Sequence, residues 1–190
     1  MKVVVSEFVS LDGVMEDPGG AEGYKHGGWS FKFKRGPAGD KFKLDELSAA
    51  GALLLGRQTY QGFAQAWPSI KDAEGFGDKM NGIRKYVVSN TLKDSEATWN
   101  NSKIIRTDMA AEVARLKAQP GGDLLVYGSA RLAQGLAEHG LVDGYRLMVY
   151  PVILGSGKRL FGDASKMASL ELVDSRPAGD GIVMLTYQAA

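Results

Sequence analysis

One short stretch of the chain combines the residue types that bind phosphate. An apolar run at 52–55, too short for a helix, leads into Gly56 and Arg57, and a helical pattern begins near Thr59. A helix N-terminus exposes unpaired N–H groups and the positive end of the helix dipole, so it favours an anion. Arg57 adds a charge with bidentate geometry. The stretch indicates a phosphate site, although a helix cap at Thr59 and a surface arginine fit the same residues.

Two further strand ends carry residues suited to the same ligand. The apolar run 124–127 leads into Gly128, Ser129 and Ala130, which are small enough for backbone amides to approach a pyrophosphate at the start of a helix. The G-x-G-x-x-G spacing is absent, so this turn carries little weight alone. Ser89 ends another short strand, at the edge where open α/β sheets bind ligands, and a capping role fits it equally well.

Three more residues are candidates for contact with a substrate. Asp40 lies at the start of a predicted helix, where a helix cap or a favourable dipole charge is the simpler interpretation. Trp29 follows a glycine-rich loop that could act as a lid over a planar ligand or could pack on the core. Lys158 lies in Gly155-Ser156-Gly157-Lys158-Arg159, which fails the phosphate-loop spacing and indicates a turn that could also meet an anionic substrate.

Composition limits the function classes. With 190 residues, 44% hydrophobic and 24% charged, the sequence predicts a single domain over 1–190 with a sizeable core. The net charge is +1 with scattered Lys and Arg, which argues against nucleic acid or an anionic membrane as partner. There is no cysteine and there are two histidines, which argues against disulfides, a metal site and a His-centred triad. No signal peptide is indicated, so a cytoplasmic protein is expected.

The candidate residues need a sheet whose strands end side by side. Apolar, β-branched runs predict strands at 2–9, 53–55, 85–89, 104–105, 124–127, 144–154, 170–174 and 182–187. Helical spacing is found at 38–50, 59–67 and 109–116 and after 130, whereas 69–84 reads as a loop. Because the last strands follow one another without a helix, they should pair antiparallel. The pattern predicts an α/β fold with a mostly parallel central sheet and an antiparallel C-terminal edge.

Ordered sequence blocks along nearly the whole chain resemble the dihydrofolate reductase superfamily. The resemblance is to its bacterial branch, similar to the C-terminal reductase domain of bifunctional riboflavin-biosynthesis enzymes. The blocks are Ser-Leu-Asp-Gly at 10–13, Leu-Leu-Leu-Gly-Arg-Gln-Thr-Tyr at 53–60, Trp-Pro at 67–68, Lys-Tyr-Val-Val-Ser at 85–89, Leu-Val-Tyr-Gly-Ser at 125–129, Leu-Val-Asp-Gly-Tyr-Arg-Leu at 141–147 and Pro-Val-Ile-Leu-Gly-Ser-Gly-Lys-Arg-Leu-Phe at 151–161. Their order and spacing together carry the resemblance, which implies a dihydrofolate-reductase-like fold with helices flanking the sheet.

The resemblance implies NADPH as the cofactor. It places Gly56, Arg57 and Thr59 at the cofactor phosphates, with Arg57 and Ser89 near the adenosine 2′-phosphate. Gly128, Ser129 and Ala130 would hold the pyrophosphate. The candidates found at separate strand ends would then serve one extended dinucleotide.

The chemistry implied by the resemblance is hydride transfer from the nicotinamide to a pteridine- or pyrimidine-like small molecule. Asp40 matches the carboxylate that folate reductases carry on their first helix, with Asp45 as the reserve proton donor. In the riboflavin branch the substrate is a phosphoribosyl-aminopyrimidine, as in 5-amino-6-(5-phosphoribosylamino)uracil reductase, whose phosphate would meet Lys158 or Arg159. Gly144 departs from this branch, which commonly carries an acidic residue there.

Alternatives to that activity are a dihydrofolate reductase and an NADP(H)-binding protein without turnover. The long C-terminal strands also favour a homodimer.

Overall fold

The computed structural model describes residues 1–72, 74–162 and 167–190. Within these ranges the chain forms one eight-stranded sheet and five α-helices, with short 3₁₀ turns. The strands are β1 (Val3–Ser10), β2 (Ala50–Gly56), β3 (Arg84–Val88), β4 (Ser102–Ile105), β5 (Asp123–Tyr127), β6 (Gly144–Tyr150), β7 (Leu170–Ala178) and β8 (Ile182–Ala189). The helices are α1 (Gly36–Ala49), α2 (Arg57–Ala66), α3 (Phe76–Gly82), α4 (Met109–Lys117) and α5 (Ala130–Glu138). None of these helices is long and apolar enough to cross a membrane.

Strand order determines which residues can share a site. The order is β4-β3-β2-β5-β1-β6-β8-β7. The first six strands are parallel to one another, whereas β8 and β7 are antiparallel to their neighbours. The predicted fold, a mostly parallel sheet with an antiparallel C-terminal edge, is therefore confirmed. The carboxyl ends of β3, β2, β5 and β1 meet at one edge, where open α/β sheets bind ligands.

The sheet is buried on both faces because its central strands are apolar on both. Successive side chains of β1 point to opposite faces of the sheet. Val3 and Val5 therefore pack towards α4 and α5, whereas Val4 packs with Leu47 of α1. The apolar runs that predicted the parallel strands therefore coincide with the core.

The predicted loop at 69–84 was wrong, because this segment contains α3. The carboxylate of Asp72 accepts hydrogen bonds from the backbone N–H groups of Phe76 at 2.7 Å and Gly77 at 2.6 Å. These bonds satisfy the first donors of the helix from outside it. The helix has seven residues and includes two glycines, so its apolar periodicity is too short to stand out. The predicted strand at 144–154 also ends earlier, at Tyr150.

The glycine-rich loop that follows β1 is fastened to the segment after β6. The Asp12 carboxylate accepts hydrogen bonds from the N–H groups of Leu154 at 3.1 Å and Gly155 at 2.9 Å. The bond from the Ser10 hydroxyl, with these two, lowers the pKa of Asp12 to about 2. Further along, Val14 forms a bridge with Arg159. The two segments therefore form one wall beside the carboxyl edge of the sheet.

Glu7 is an ionisable residue inside the central strand β1. The residue is buried, and its Oε1 atom has no hydrogen-bond partner among the described residues. Burial raises the pKa of Glu7 to about 8, against the opposing effects of the Lys43 charge and the Gly128 backbone N–H. The folded protein therefore holds a proton on this side chain at neutral pH.

We expect Glu7→Gln to stabilise the protein more at pH 8 than at pH 5. Between the ordinary pKa of about 4.5 and the folded value of about 8, the unfolded chain loses a proton that the folded chain keeps. The free energy of unfolding of the parent therefore falls as pH rises through this window, by at most about 1.4 kcal/mol per pH unit. Glutamine has no such titration. Urea unfolding at both pH values measures the difference.

The exposed Glu138 at the end of α5 provides the matched control. Glu138→Gln should leave the pH dependence of the parent unchanged. A Glu7→Gln stability difference that is the same at both pH values would contradict the assignment of a protonated Glu7.

Candidate functional site

The beginnings of α2 and α5 are locked together at the carboxyl ends of β2 and β5. The Ser129 hydroxyl accepts a hydrogen bond from the Gly56 N–H at 3.1 Å and lies 2.9 Å from the Thr59 hydroxyl. A Cβ atom on Gly128 would lie 2.7 Å from the Thr59 Oγ1, and one on Gly56 would lie 2.2 Å from the Ser129 Oγ. Glycine is therefore required at both positions because the two turns approach so closely.

The backbone at this contact leaves helix donors free of side-chain caps. Gly128 and Ser129 both have φ of +63°, in the left-handed region that a serine seldom adopts. Ser129 is the N-cap of α5, yet its side chain caps no N–H of that helix because it turns towards Gly56 and Thr59. Gly56, the N-cap of α2, has no side chain to offer. The first turns of both helices thus present N–H groups suited to phosphate oxygens.

Arg57 extends this site towards the end of β3. Its Nη1 donates to the Thr91 hydroxyl at 2.6 Å. The Ser89 hydroxyl accepts from the N–H groups of Thr91 at 3.2 Å and Leu92 at 2.9 Å, so the capping role considered for Ser89 is observed. Its own O–H remains a donor for a ligand. The structure therefore brings Arg57 and Ser89 to one place, as the sequence predicted for the two strand ends.

Trp29 and Lys158 lie together, but on the wall beside the site. The Trp29 indole N–H donates to the Glu16 carbonyl at 2.8 Å, and the Lys158 ammonium pairs with the Glu16 carboxylate at 2.6 Å. Trp29 is 1% exposed and packs edge-on against Tyr150 at 5.2 Å. In this structure both residues fasten the loop after β1. Their roles in substrate binding stay predictions.

Asp40 lies on the solvent side of α1. Its carboxylate pairs with Arg35 at 2.5 Å, and its side chain is 61% exposed. The neighbouring Gly39 is buried against Met148, so the face of α1 that meets the sheet passes through residue 39. Asp40 is therefore not brought together with Arg57 and Ser129, and its role as proton donor stays a prediction.

Four polar residues that the sequence did not single out form a cluster buried between α1 and the sheet: Ser6, Lys43, Glu46 and Tyr127. The Ser6 hydroxyl lies 2.9 Å from both carboxylate oxygens of Glu46 and 2.9 Å from the Lys43 ammonium. Lys43 and Glu46 form an ion pair, and the Tyr127 hydroxyl donates to Glu46 at 2.9 Å. We call these four residues the buried cluster.

Aromatic rings complete the surroundings of the buried cluster. The Lys43 Nζ lies 4.3 Å from the centre of the Tyr127 ring and 5.2 Å from that of Phe8, distances at which a cation is attracted to the ring face. Burial, reinforced by the Glu46 charge, raises the pKa of Tyr127 well above its usual value, so its hydroxyl stays protonated. Tyr127 immediately precedes Gly128, and the cluster therefore borders the phosphate turn.

A weak signal for this cluster exists in the sequence. Lys43 lies four residues after Gly39 and four before Leu47, which places it on the same helix face as these small and apolar residues. Charged residues are almost never fully buried unless they are paired, so a helical charge is ordinarily assigned to solvent. Glu46 lies three residues after Lys43, close enough on the helix to be its partner.

Gly144, where the resemblance led us to expect an acidic residue, lies inside the sheet. It is buried in β6 between β1 and β8. A Cβ atom there would lie 2.8 Å from the Tyr187 carbonyl oxygen, so a larger residue requires the strands to move. This departure is therefore accommodated by local strand packing.

The residues present fit a dinucleotide. Two helix N-termini without side-chain caps, a turn that excludes a Cβ atom at Gly128 and a guanidinium at Arg57 follow one another across β5, β2 and β3. A phosphate-rich ligand extended along this edge would meet donors throughout.

Comparison with known proteins identifies the family of this chain. The model of the RibD C-terminal domain matches residues 1–184. The uncharacterized protein YyaP of Bacillus subtilis is 32% identical over 146 residues, 75% of this chain and 76% of the relative. The uncharacterized protein YwjB of the same organism is 26% identical over 184 residues, 95% of this chain and 94% of the relative.

Three crystal structures share the fold over 100% of this chain. A candidate riboflavin biosynthesis protein from Shewanella sp. PV-4 has a TM-score of 0.79 at 20% identity, with 99% of that chain covered. RibD from Acinetobacter baumannii has a TM-score of 0.65 at 17% identity, with 58% of its chain covered. A pyrimidine reductase-like protein from Corynebacterium diphtheriae has a TM-score of 0.62 at 14% identity, with 92% of its chain covered. The chain belongs to the RibD C-terminal domain family and has a dihydrofolate-reductase-like fold.

Proposed function

We propose that this protein is an NADPH-dependent reductase of a pteridine- or pyrimidine-like small molecule. The observation that carries the proposal is the locked start of α2 and α5, where Ser129 bonds to Gly56 and Thr59 and leaves both helix N-termini open. Family membership supports a reductase in general. When bound, the reduced nicotinamide supplies the hydride, and the protein binds, orients and supplies the proton.

In this proposal the cofactor lies along the carboxyl edge of the sheet. The pyrophosphate meets the N–H groups that follow Gly128, Ser129 and Ala130, and a second phosphate contact comes from the start of α2, at Gly56 and Thr59. Arg57 and Ser89 receive the adenosine 2′-phosphate. A guanidinium suits this group because it offers several N–H donors in a fixed plane.

The substrate proposed is a heterocycle such as 5-amino-6-(5-phosphoribosylamino)uracil. The likeness to a pyrimidine reductase-like protein supports this class, with a folate as the other member. Lys158 would meet a substrate phosphate only after loosening its pair with Glu16. Asp40, whose side chain is 61% exposed, is the proton donor that the resemblance implies.

The decisive experiment is a titration followed by an activity panel. NADPH and NADH are titrated by fluorescence, and loss of NADPH absorbance is then followed with dihydrofolate and with a ribosylaminopyrimidine phosphate. We expect tighter binding of NADPH and oxidation with a member of the panel. Binding without oxidation would favour a sensor of the dinucleotide, and no binding of NADPH would overturn the proposal.

Arg57→Ala should weaken NADPH binding about tenfold or more and leave NADH binding nearly unchanged. The reason is loss of a charge-assisted contact, worth roughly 1.5–3 kcal/mol, to a phosphate that NADH lacks. Titration with both cofactors measures this selectivity. Arg84→Ala is the matched control, because Arg84 is exposed at the opposite end of β3. Equal losses for both cofactors would contradict a 2′-phosphate contact at Arg57.

Gly128→Ala should lower both the free energy of unfolding and the affinity for NADPH. The left-handed φ costs a side chain about 1–2 kcal/mol, and the new Cβ would also displace Thr59. Urea unfolding and the NADPH titration measure the two effects. Gly62→Ala is the control, because a Cβ at Gly62 in α2 meets no atom of the described residues within 4 Å and should be neutral or stabilising. A Gly128→Ala variant as stable as the parent would count against the close turn.

We also propose a homodimer formed through β7. This strand is at the edge of the sheet and exposes Leu170, Leu172 and Val173, which an edge strand of a monomer seldom shows. Multi-angle light scattering should give twice the chain mass, and Leu172→Lys should shift it towards the monomer. A monomeric parent would contradict the proposal.

A further inference from the structure

The order of the strands determines where the nicotinamide end of the cofactor must lie. The inference rests on the proposed function, in which Arg57 and Ser89 receive the adenosine end at β2 and β3 and the pyrophosphate lies at β5. The next strand in the same direction is β1, followed by β6. The reacting end of the cofactor therefore continues over β1, beside the buried cluster.

Within this cluster Lys43 is the member best placed to reach a ligand. Its ammonium has three N–H donors, of which two are directed to Ser6 and Glu46. It also faces the rings of Tyr127 and Phe8, and Phe8 lies two residues nearer the carboxyl edge than Ser6. The Lys43 side chain is 9% exposed, whereas that of Glu46 is 1% exposed. Lys43 is thus the more exposed member of the ion pair and faces a ring that lies nearer the carboxyl edge of β1.

We propose that Lys43 is the proton donor to the substrate, held in position by Glu46 and Ser6. Hydride from the reduced nicotinamide adds to the carbon of a C=O or C=N group, and the electron pair of the double bond moves to the oxygen or nitrogen. That atom takes a proton from the Lys43 ammonium and becomes a neutral alcohol or amine. The cofactor leaves oxidised, and the neutral Lys43 amine regains a proton from water.

The other members of the buried cluster act through Lys43. Glu46 accepts hydrogen bonds from Ser6 and Tyr127 and pairs with Lys43, which fixes the ammonium in position. Tyr127 is a donor to Glu46 and presents its ring to Lys43. We describe Glu46, Ser6 and Tyr127 as positioning residues.

Buried ion pairs rarely exist for stability alone. Removing two charges from water costs several kcal/mol per ion, and replacement by apolar residues is often neutral or stabilising. Lys43 and Glu46 lie on the sheet-facing side of α1, against the strand expected to carry the reacting end of the cofactor. This position favours a chemical role for the pair. Asp40, which is 61% exposed, lacks the water-excluded setting that such a role favours.

The test compares Lys43→Met and Lys43→Arg with the parent. Arginine keeps the charge and does not release its proton, so it should retain substrate binding while hydride transfer in a single turnover slows at least 100-fold. The Lys43→Met variant should lose both substrate binding and hydride transfer. Lys41→Met is the matched control, because Lys41 is exposed on the same helix and pairs with the exposed Asp45. A merely structural Lys43 would give an arginine variant with the parent's rate.

Two readouts do not depend on turnover. NADPH binding, followed by fluorescence, should be unchanged in all Lys43 variants. Binding of 5,6-diaminouracil to the NADP⁺-loaded protein, measured by calorimetry, should weaken at least tenfold in Lys43→Met and remain in Lys41→Met. Urea unfolding establishes that each variant is folded.

The pH profile of the single-turnover rate tests the positioning role of Glu46. The titratable groups that face Lys43 are Glu46 on its own helix, Glu7 on β1 and Tyr127 on β5, and the charged Arg146 of β6 pairs in register with Ser6. Glu46→Gln should shift the basic limb of the profile towards lower pH, because the ammonium loses its counter-charge. Glu138→Gln should leave the limb in place. An unshifted limb in Glu46→Gln would contradict the positioning role.

The outcomes separate this inference from the proposed function. If the parent does not bind NADPH, the proposed function fails. If the parent binds NADPH and reduces a member of the panel while Lys43→Arg keeps the parent rate, only the inference on Lys43 is overturned. Loss of rate in Asp40→Asn with none in Lys43→Met would overturn it in favour of Asp40. A parent that neither reduces the panel nor binds 5,6-diaminouracil would overturn the heterocycle class and the inference with it.

Discussion

The bond between the Ser129 hydroxyl and the start of α2 is the contact on which the site depends. A serine at a helix N-cap ordinarily bonds to its own helix, but here the hydroxyl accepts from Gly56 and meets Thr59. The left-handed backbone at 128–129 makes this direction possible. As a result, two helices without side-chain caps begin side by side, and their dipoles add at one place.

A second constraint is the ion pair inside the molecule. Lys43 and Glu46 lie between α1 and the sheet, and the side chains of Ser6 and Tyr127 satisfy the remaining carboxylate lone pairs. A network of this kind tolerates little loss, because removal of one member leaves a buried charge without a partner. The packing of α1 and the proposed proton transfer therefore depend on the same four side chains.

The sequence predicted the fold and the grouping of the strand-end residues at one edge of the sheet, because the signals there are local. A run such as 52–55 followed by Gly56-Arg57 contains its strand, its turn and its helix start within a few residues. The missed helix α3 depends on Asp72, whose carboxylate lies outside the apolar pattern. Lys43 was missed for another reason. Its burial is decided by β1 and β5, which are distant in sequence, and the helix face that it shares with Gly39 and Leu47 is too weak a signal by itself to distinguish it from a solvated lysine.

The two halves of the candidate site also differ in what they are made of. The proposed cofactor half consists of backbone N–H groups and of glycines packed too closely for a side chain. The fold itself therefore preserves this half of the site. The proposed substrate half uses side chains such as Ser6, Lys43 and Tyr127, which can change while the strands that carry them keep their register. In the proposed function, the side chains that would distinguish one heterocycle from another are therefore those between the sheet and α1.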